Sequence, residues 1–175
     1  MLPTLVGIAA LISRWLFRVG FVATAVMIGA VVVEVFARYV LGEPTRWSYD
    51  ITYMANGAIF MLGAAWTLAE DQHVRVDIID ARVGLSVRRI LDGVFFVFAA
   101  TPVLSIIAWF AASRAWRSFV TGELEMVSPW QPVIWPFQAI LAVGLAALAL
   151  QCLARGIAAF ASMADGVNLD GRTNA

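Results

Sequence analysis

The sequence predicts an all-α integral membrane protein, with four transmembrane helices plus interfacial amphipathic helices. Three observations predict it. Of the 175 residues, 62% are hydrophobic and only 14% charged, where a soluble domain carries about 25% charged residues. The mean hydropathy is +0.84. Four apolar runs, at about 19–41, 47–69, 93–116 and 133–157, each approach or exceed the ~20 residues a helix needs to cross a bilayer core. Interfacial helices are expected over 4–17 and 77–91. Residues 1–163 then form one transmembrane domain, and the polar, Gly- and Asn-bearing segment 164–175 is a flexible tail.

The N-terminal stretch places its apolar residues, Leu5 to Ile12, before Ser13-Arg14-Trp15-Leu16-Phe17-Arg18. A secretory signal has the opposite order, so an interfacial helix leading into the membrane is the better reading. Span one is apolar except for Glu34 and Arg38. Each costs some ~2.5–3.5 kcal/mol at mid-membrane on insertion scales. They stand four residues apart with the acid first, the favourable order on one helical face, and Arg38 can also snorkel toward the headgroups. Three readings are open: a self-compensating pair facing other protein, an ion or proton site at Glu34, or a contact to a partner subunit. Gly42 and Pro44 then end the helix and turn the chain.

Span two and its flanks, Trp47 to Asp77, organise the rest. From Trp47 to Leu68 the helix reaches about 33 Å, and Asn56 lies about 13 Å along it. Asp50 marks one end, and Glu70-Asp-Gln-His-Val-Arg-Val-Asp77 marks the other. Gly57 with Ala64, and Ala58 with Ala65, share faces at a period of seven, which permits close helix approach. Residues 70–92 carry five acids and four arginines. From Ile78 to Leu91 the apolar positions recur at helical spacings with charges in most gaps, as an interfacial helix would place them. A solvated charged loop is the alternative. Span three contains Pro102, which predicts a kink, and ends on Arg114, Trp116 and Arg117. Trp130 and Trp135 stand at the entrance to span four as an aromatic belt, where Pro132 and Pro136 fit the first turns.

Four spans put both termini on one side. That side holds eight arginines, the other four: Arg38, Arg46, Arg114 and Arg117. The positive-inside rule then predicts cytoplasmic termini. The composition also excludes function classes. A net charge of +0 gives no field that recruits nucleic acid. One cysteine, Cys152, makes an internal disulfide impossible, and one histidine, His73, forms no histidine cluster for a metal. No phosphate-binding glycine loop or metalloprotease spacing is present. No catalytic residue, cofactor or metal site is expected, and no enzyme.

These residues carry a resemblance. Arg38-Tyr39-Val40 close span one. Trp47 is followed by an acid three residues on. Gly63-Ala64-Ala65 lie in span two, His73-Val74-Arg75-Val76-Asp77 follow it, and a proline-bearing entrance opens span four. In this order and four-span frame, from Val19 to Ile157, the chain resembles the small membrane subunit of TRAP transporters, the DctQ-like family of tripartite ATP-independent periplasmic carriers of bacteria. That family usually has glutamate where Asp50 stands, often beside a second acid; here the neighbour is Tyr49.

The resemblance implies a non-catalytic subunit in the bacterial inner membrane. Its partners would be a large permease subunit, which carries the solute inward with sodium, a periplasmic solute-binding protein, and membrane lipids. The small subunit would scaffold the large one and help dock the binding protein. Organic acids are frequent solutes of the family, but the sequence does not identify this one. Trp47, Asp50, Asn56, Gly63, His73, Arg75 and Asp77 are the structural or partner-contact candidates, with Glu34 and Arg38 as an intramembrane ion pair. The rival reading is a four-span, homo-oligomeric, proton-coupled carrier that uses Glu34.

Overall fold

A computed structural model describes residues 2–69, 90–91, 93–126 and 128–170, with side chains described between Gly7 and Ala161. Its helices are α1 (Leu2–Phe36), α2 (Ser48–Ala69), α3 (Thr101–Thr121) and α4 (Trp135–Asp170), with π-helical turns at Ala37–Leu41 and Phe95–Ala100. Among the described residues, four helices are long and apolar enough to cross a membrane: Gly7–Leu41, Ser48–Ala69, Phe95–Thr121 and Trp135–Ala161. The chain is an all-α, multi-pass membrane protein. The expected helix over 77–91, together with His73, Arg75 and Asp77, lies outside the described residues apart from Ile90 and Leu91.

The separate helix expected over 4–17 is not separate, because α1 runs unbroken from Leu2 to Phe36. Beyond Pro3, which sits in the first turn, no proline interrupts the backbone ladder. Two arginines along α1 lie over indole rings. The Arg14 guanidinium lies 5.4 Å from the Trp66 ring and that of Arg18 lies 5.0 Å from the Trp15 ring, as cations do on aromatic faces.

Span one closes through the turn Ala37–Leu41. Gly42, at φ 73°, and Glu43 both donate their backbone N–H to the Ala37 carbonyl, which satisfies a helix end with glycine in the left-handed region. The disturbance expected at Pro102 takes the form of the π-helical turn just before it. Thr101 donates to the Phe96 carbonyl through its backbone N–H and through Oγ1 at 2.7 Å. Pro102 follows directly inside a helix that continues from Phe95 to Thr121, so its missing N–H falls beside the wider turn and not at a free helix start. Span three also runs beyond the expected Trp116 to Thr121, and α4 continues through residues 164–170 of the segment expected to be a flexible tail.

The bundle is held by small residues. α2 packs between α1 and α4, α1 also touches α4, and the main support of α3 is α4. Of the fourteen buried apolar residues described, eleven are alanine, while phenylalanines, tryptophans and valines face outward. Core and surface are therefore reversed from a soluble protein, and the helices associate by backbone proximity. The predicted small face of α2 is used: Ala58 and Ala65 are buried and Gly57 meets the ring of Phe137. α2 and α4 approach backbone to backbone at Gly144, where a Cβ would stand 2.9 Å from backbone atoms of Met61. Gly156 likewise faces the Val97 side chain with no room for a Cβ.

Candidate functional site

The described polar groups of the bundle concentrate at one end, where α1 turns into α2 and α3 into α4. Arg38 donates to Glu34 Oε1 from Nε at 2.9 Å and from Nη2 at 2.5 Å. The other oxygen, Oε2, accepts from the Thr45 backbone N–H at 2.8 Å and from the Thr45 hydroxyl. Glu34 thus binds both its own helix and the loop eleven residues on. The short i,i+4 spacing made Arg38 visible in the sequence; Thr45 was not, because only the fold of the 42–46 turn brings it back.

The second cluster centres on Asp50. It stands in the first turn of α2, where the helix macrodipole favours an acid, and it is 0% exposed. The Ser128 hydroxyl donates to Oδ2 and accepts the Trp130 backbone N–H at 3.2 Å. Oδ1 has no hydrogen-bond partner among the described residues. Two residues earlier, the buried Ser48 hydroxyl donates to the Ala30 carbonyl at 3.1 Å. The start of α2 is thereby tied to α1 on one side and to the α3–α4 loop on the other. That loop is braced in turn. Gly122, at φ 62°, donates its N–H to the Ser118 carbonyl. Glu123 accepts from Arg114 at 2.9 Å and from the Ser118 hydroxyl at 2.7 Å. Glu125 N–H donates to the Pro132 carbonyl at 2.8 Å and Ile134 N–H to the Glu123 carbonyl at 3.3 Å.

Between the two turns lies an open polar cavity of about 820 Å³, lined by Gly42, Glu43, Thr45, Arg46, Tyr49 and Ser128 among others. The two clusters flank it: Thr45 and Ser128, which line the cavity, are the donors to Glu34 and Asp50. Chemically the arrangement is a set of locks. Glu34 has donors on both oxygens, and Asp50 is sealed from solvent. Among the described residues no group of three or more His, Cys, Asp or Glu side chains comes together.

The remaining candidates are dispersed. Trp47 is half-buried and its carbonyl accepts the Ile51 N–H at 3.1 Å. Asn56 is exposed on the outer face of α2. Gly63 has open space where a Cβ would stand. His73, Arg75 and Asp77 lie outside the described residues. Sequence reasoning missed Thr45, Ser48, Ser118 and Ser128; the signal available for them was only a small hydroxyl residue beside a Gly or Pro turn or at a helix start.

Two of the comparisons with known proteins found no relative: no curated protein and no solved structure matches. The third did: the family described as "Tripartite ATP-independent periplasmic transporters, DctQ component" matches residues 27–162. That stretch starts within span one, includes both polar clusters and ends near the last described side chain of α4. On a match over most of its length, and with four membrane-crossing helices in the order the motifs require, the chain belongs to the DctQ component family of the tripartite ATP-independent periplasmic transporters.

Proposed function

We propose that this chain is the small, non-catalytic membrane subunit of a sodium-coupled solute importer in the bacterial inner membrane. It scaffolds the large permease subunit and helps dock the periplasmic solute-binding protein. The observation that carries this reading, beyond family membership, is how the charges are used. Glu34 takes donors on both oxygens from its own chain, and Asp50 is buried against Ser128. Charges spent on holding turns in place suit a rigid brace beside a partner that must move. A proton-coupled carrier at Glu34 would need that carboxylate to exchange protons, and Arg38 and Thr45 stand against it.

The orientation that fits this role puts both termini in the cytoplasm, on the eight-to-four arginine count. The polar end with its open cavity then faces the periplasm, where a binding protein arrives.

Reconstitution tests the proposal. Proteoliposomes holding this chain alone are expected to show no solute or proton flux. Those holding it with the large subunit, given the binding protein and a sodium gradient, are expected to accumulate solute. Robust flux from this chain alone, or full transport without it, would end the reading.

A further inference from the structure

The outward side of α2 is built as a helix-docking seam. Tyr49, Tyr53, Asn56, Phe60, Gly63 and Thr67 follow one another at spacings of four, three, four, three and four. That is the spacing of the contact positions of one packed helix against another. The opposite side of α2 is the one buried within the chain, at Ala58, Leu62 and Ala65. On the seam, Tyr49 is 66% and Phe60 71% exposed, and Tyr53 leans at its edge on Phe137, ring centroids 5.3 Å apart.

Two of its residues have no explanation among the described residues of this chain. Asn56 is exposed and its side chain makes no hydrogen bond to a described residue. It sits about 12 Å into the helix from Ser48 and about 20 Å from Ala69, within the hydrocarbon layer. A carboxamide there lacks partners for two donors and an acceptor, at a substantial cost in hydrocarbon. A serine at such a place can turn its hydroxyl to its own backbone, as Thr67 does to Ala64 at 2.9 Å; the carboxamide of Asn56 makes no such bond. Gly63 is the second. Glycine is a poor choice for a helix interior. Gly57 is explained by the Phe137 ring, but a Cβ at Gly63 would meet nothing within 4 Å.

We infer that this seam receives a transmembrane helix of the large permease subunit, one that brings a hydrogen-bonding side chain to Asn56 and passes close to the backbone at Gly63. The inference rests on the subunit role proposed above. Lipid is a poor occupant because acyl chains cannot hydrogen-bond an amide. A crossing helix supplies both what Asn56 lacks and the close approach that glycine permits in membranes. A polar residue at one contact position also sets register between helices, which suits a brace that must hold one fixed alignment.

The test uses the assembled transporter in membranes. A photo-crosslinking residue is placed at Phe60, and at Trp109 on α3, which is exposed away from this seam. Crosslinking of the large subunit from Phe60, and not from Trp109, is expected. Asn56→Leu should weaken association about three- to fifteen-fold, the range of one interhelical hydrogen bond in a membrane. Gly63→Leu should weaken it as well. Neither change should lower the thermal stability of the isolated subunit, since the exposed Asn56 carboxamide bonds no described residue and a Cβ at Gly63 meets nothing within 4 Å. Capture of the large subunit from Trp109 alone would overturn the inference and leave the subunit role standing. Capture of a second copy of this chain from Phe60 would replace the occupant and overturn it too. If the two subunits do not associate at all, the proposed function itself falls.

Discussion

Gly144→Ala isolates the close approach on which the bundle depends. In a helix interior alanine is favoured over glycine by about 0.8–1.0 kcal/mol. At residue 144 the added Cβ would stand 2.9 Å from the carbonyl carbon, the carbonyl oxygen and the Cβ of Met61. That is roughly 0.6 Å inside the ~3.5 Å at which carbon atoms normally touch. Two of those atoms are backbone, so no rotamer change relieves the contact and α2 and α4 must separate. Overpacking of this kind costs ~1–3 kcal/mol. Gly63→Ala is the matched control. It gains the same propensity and meets nothing, so the difference between the two variants is the clash alone. At ~2–4 °C per kcal/mol for a chain of this size, Gly144→Ala should melt roughly 2–12 °C below Gly63→Ala. The measurement is thermal unfolding of the isolated subunit in mild detergent, followed by tryptophan fluorescence. Equal melting temperatures would refute the claim that α2 and α4 meet backbone to backbone.

Further outcomes concern the polar end and the orientation of the chain. Arg38→Ala should destabilise the subunit more than the double change Glu34→Gln with Arg38→Gln, because a charge left without its partner is worse than none; a thermal-shift double-mutant cycle with purely additive losses would remove the coupling. Ser128→Ala should cost about 1.5–3 kcal/mol, the value of a hydrogen bond to a charged group, since it leaves the buried Asp50 with no described donor on either oxygen. Asp50→Asn should cost less, and a neutral Ser128→Ala in the same melting assay would show that the α3–α4 loop is held by other means. Single cysteines at Leu2 and Asn174 should react with a membrane-impermeant reagent only from the cytoplasmic side, and labelling from the periplasm would reverse the topology.

The four-span architecture was legible from sequence because its physical cause is local. A run of apolar residues long enough to cross hydrocarbon declares itself without reference to any other part of the chain, and so does an i,i+4 pair such as Glu34 and Arg38. The family likewise rested on short motifs in a fixed order. The small faces at Gly57, Ala58 and Ala65 were visible through their helical period, though not what they meet. Tertiary structure decided the rest. Pro102 promised a disturbance, but only the π-helical turn before it says what form the disturbance takes. Asp50 read as a charge at the membrane border, a structural or partner-contact candidate; that it is buried against Ser128, seventy-eight residues away, is set by the fold alone. Thr45 and Ser128 carry no signal of their own, because a hydroxyl becomes a lock only when a turn brings it to a carboxylate. Asn56 and Gly63 show the same limit from the other side. Their identities mark them as unusual within a span, yet which way they face depends on how α2 packs against α1 and α4. Hydropathy acts residue by residue along the chain and can be summed from sequence, whereas hydrogen bonds and close approach depend on distances that only the packed helices set.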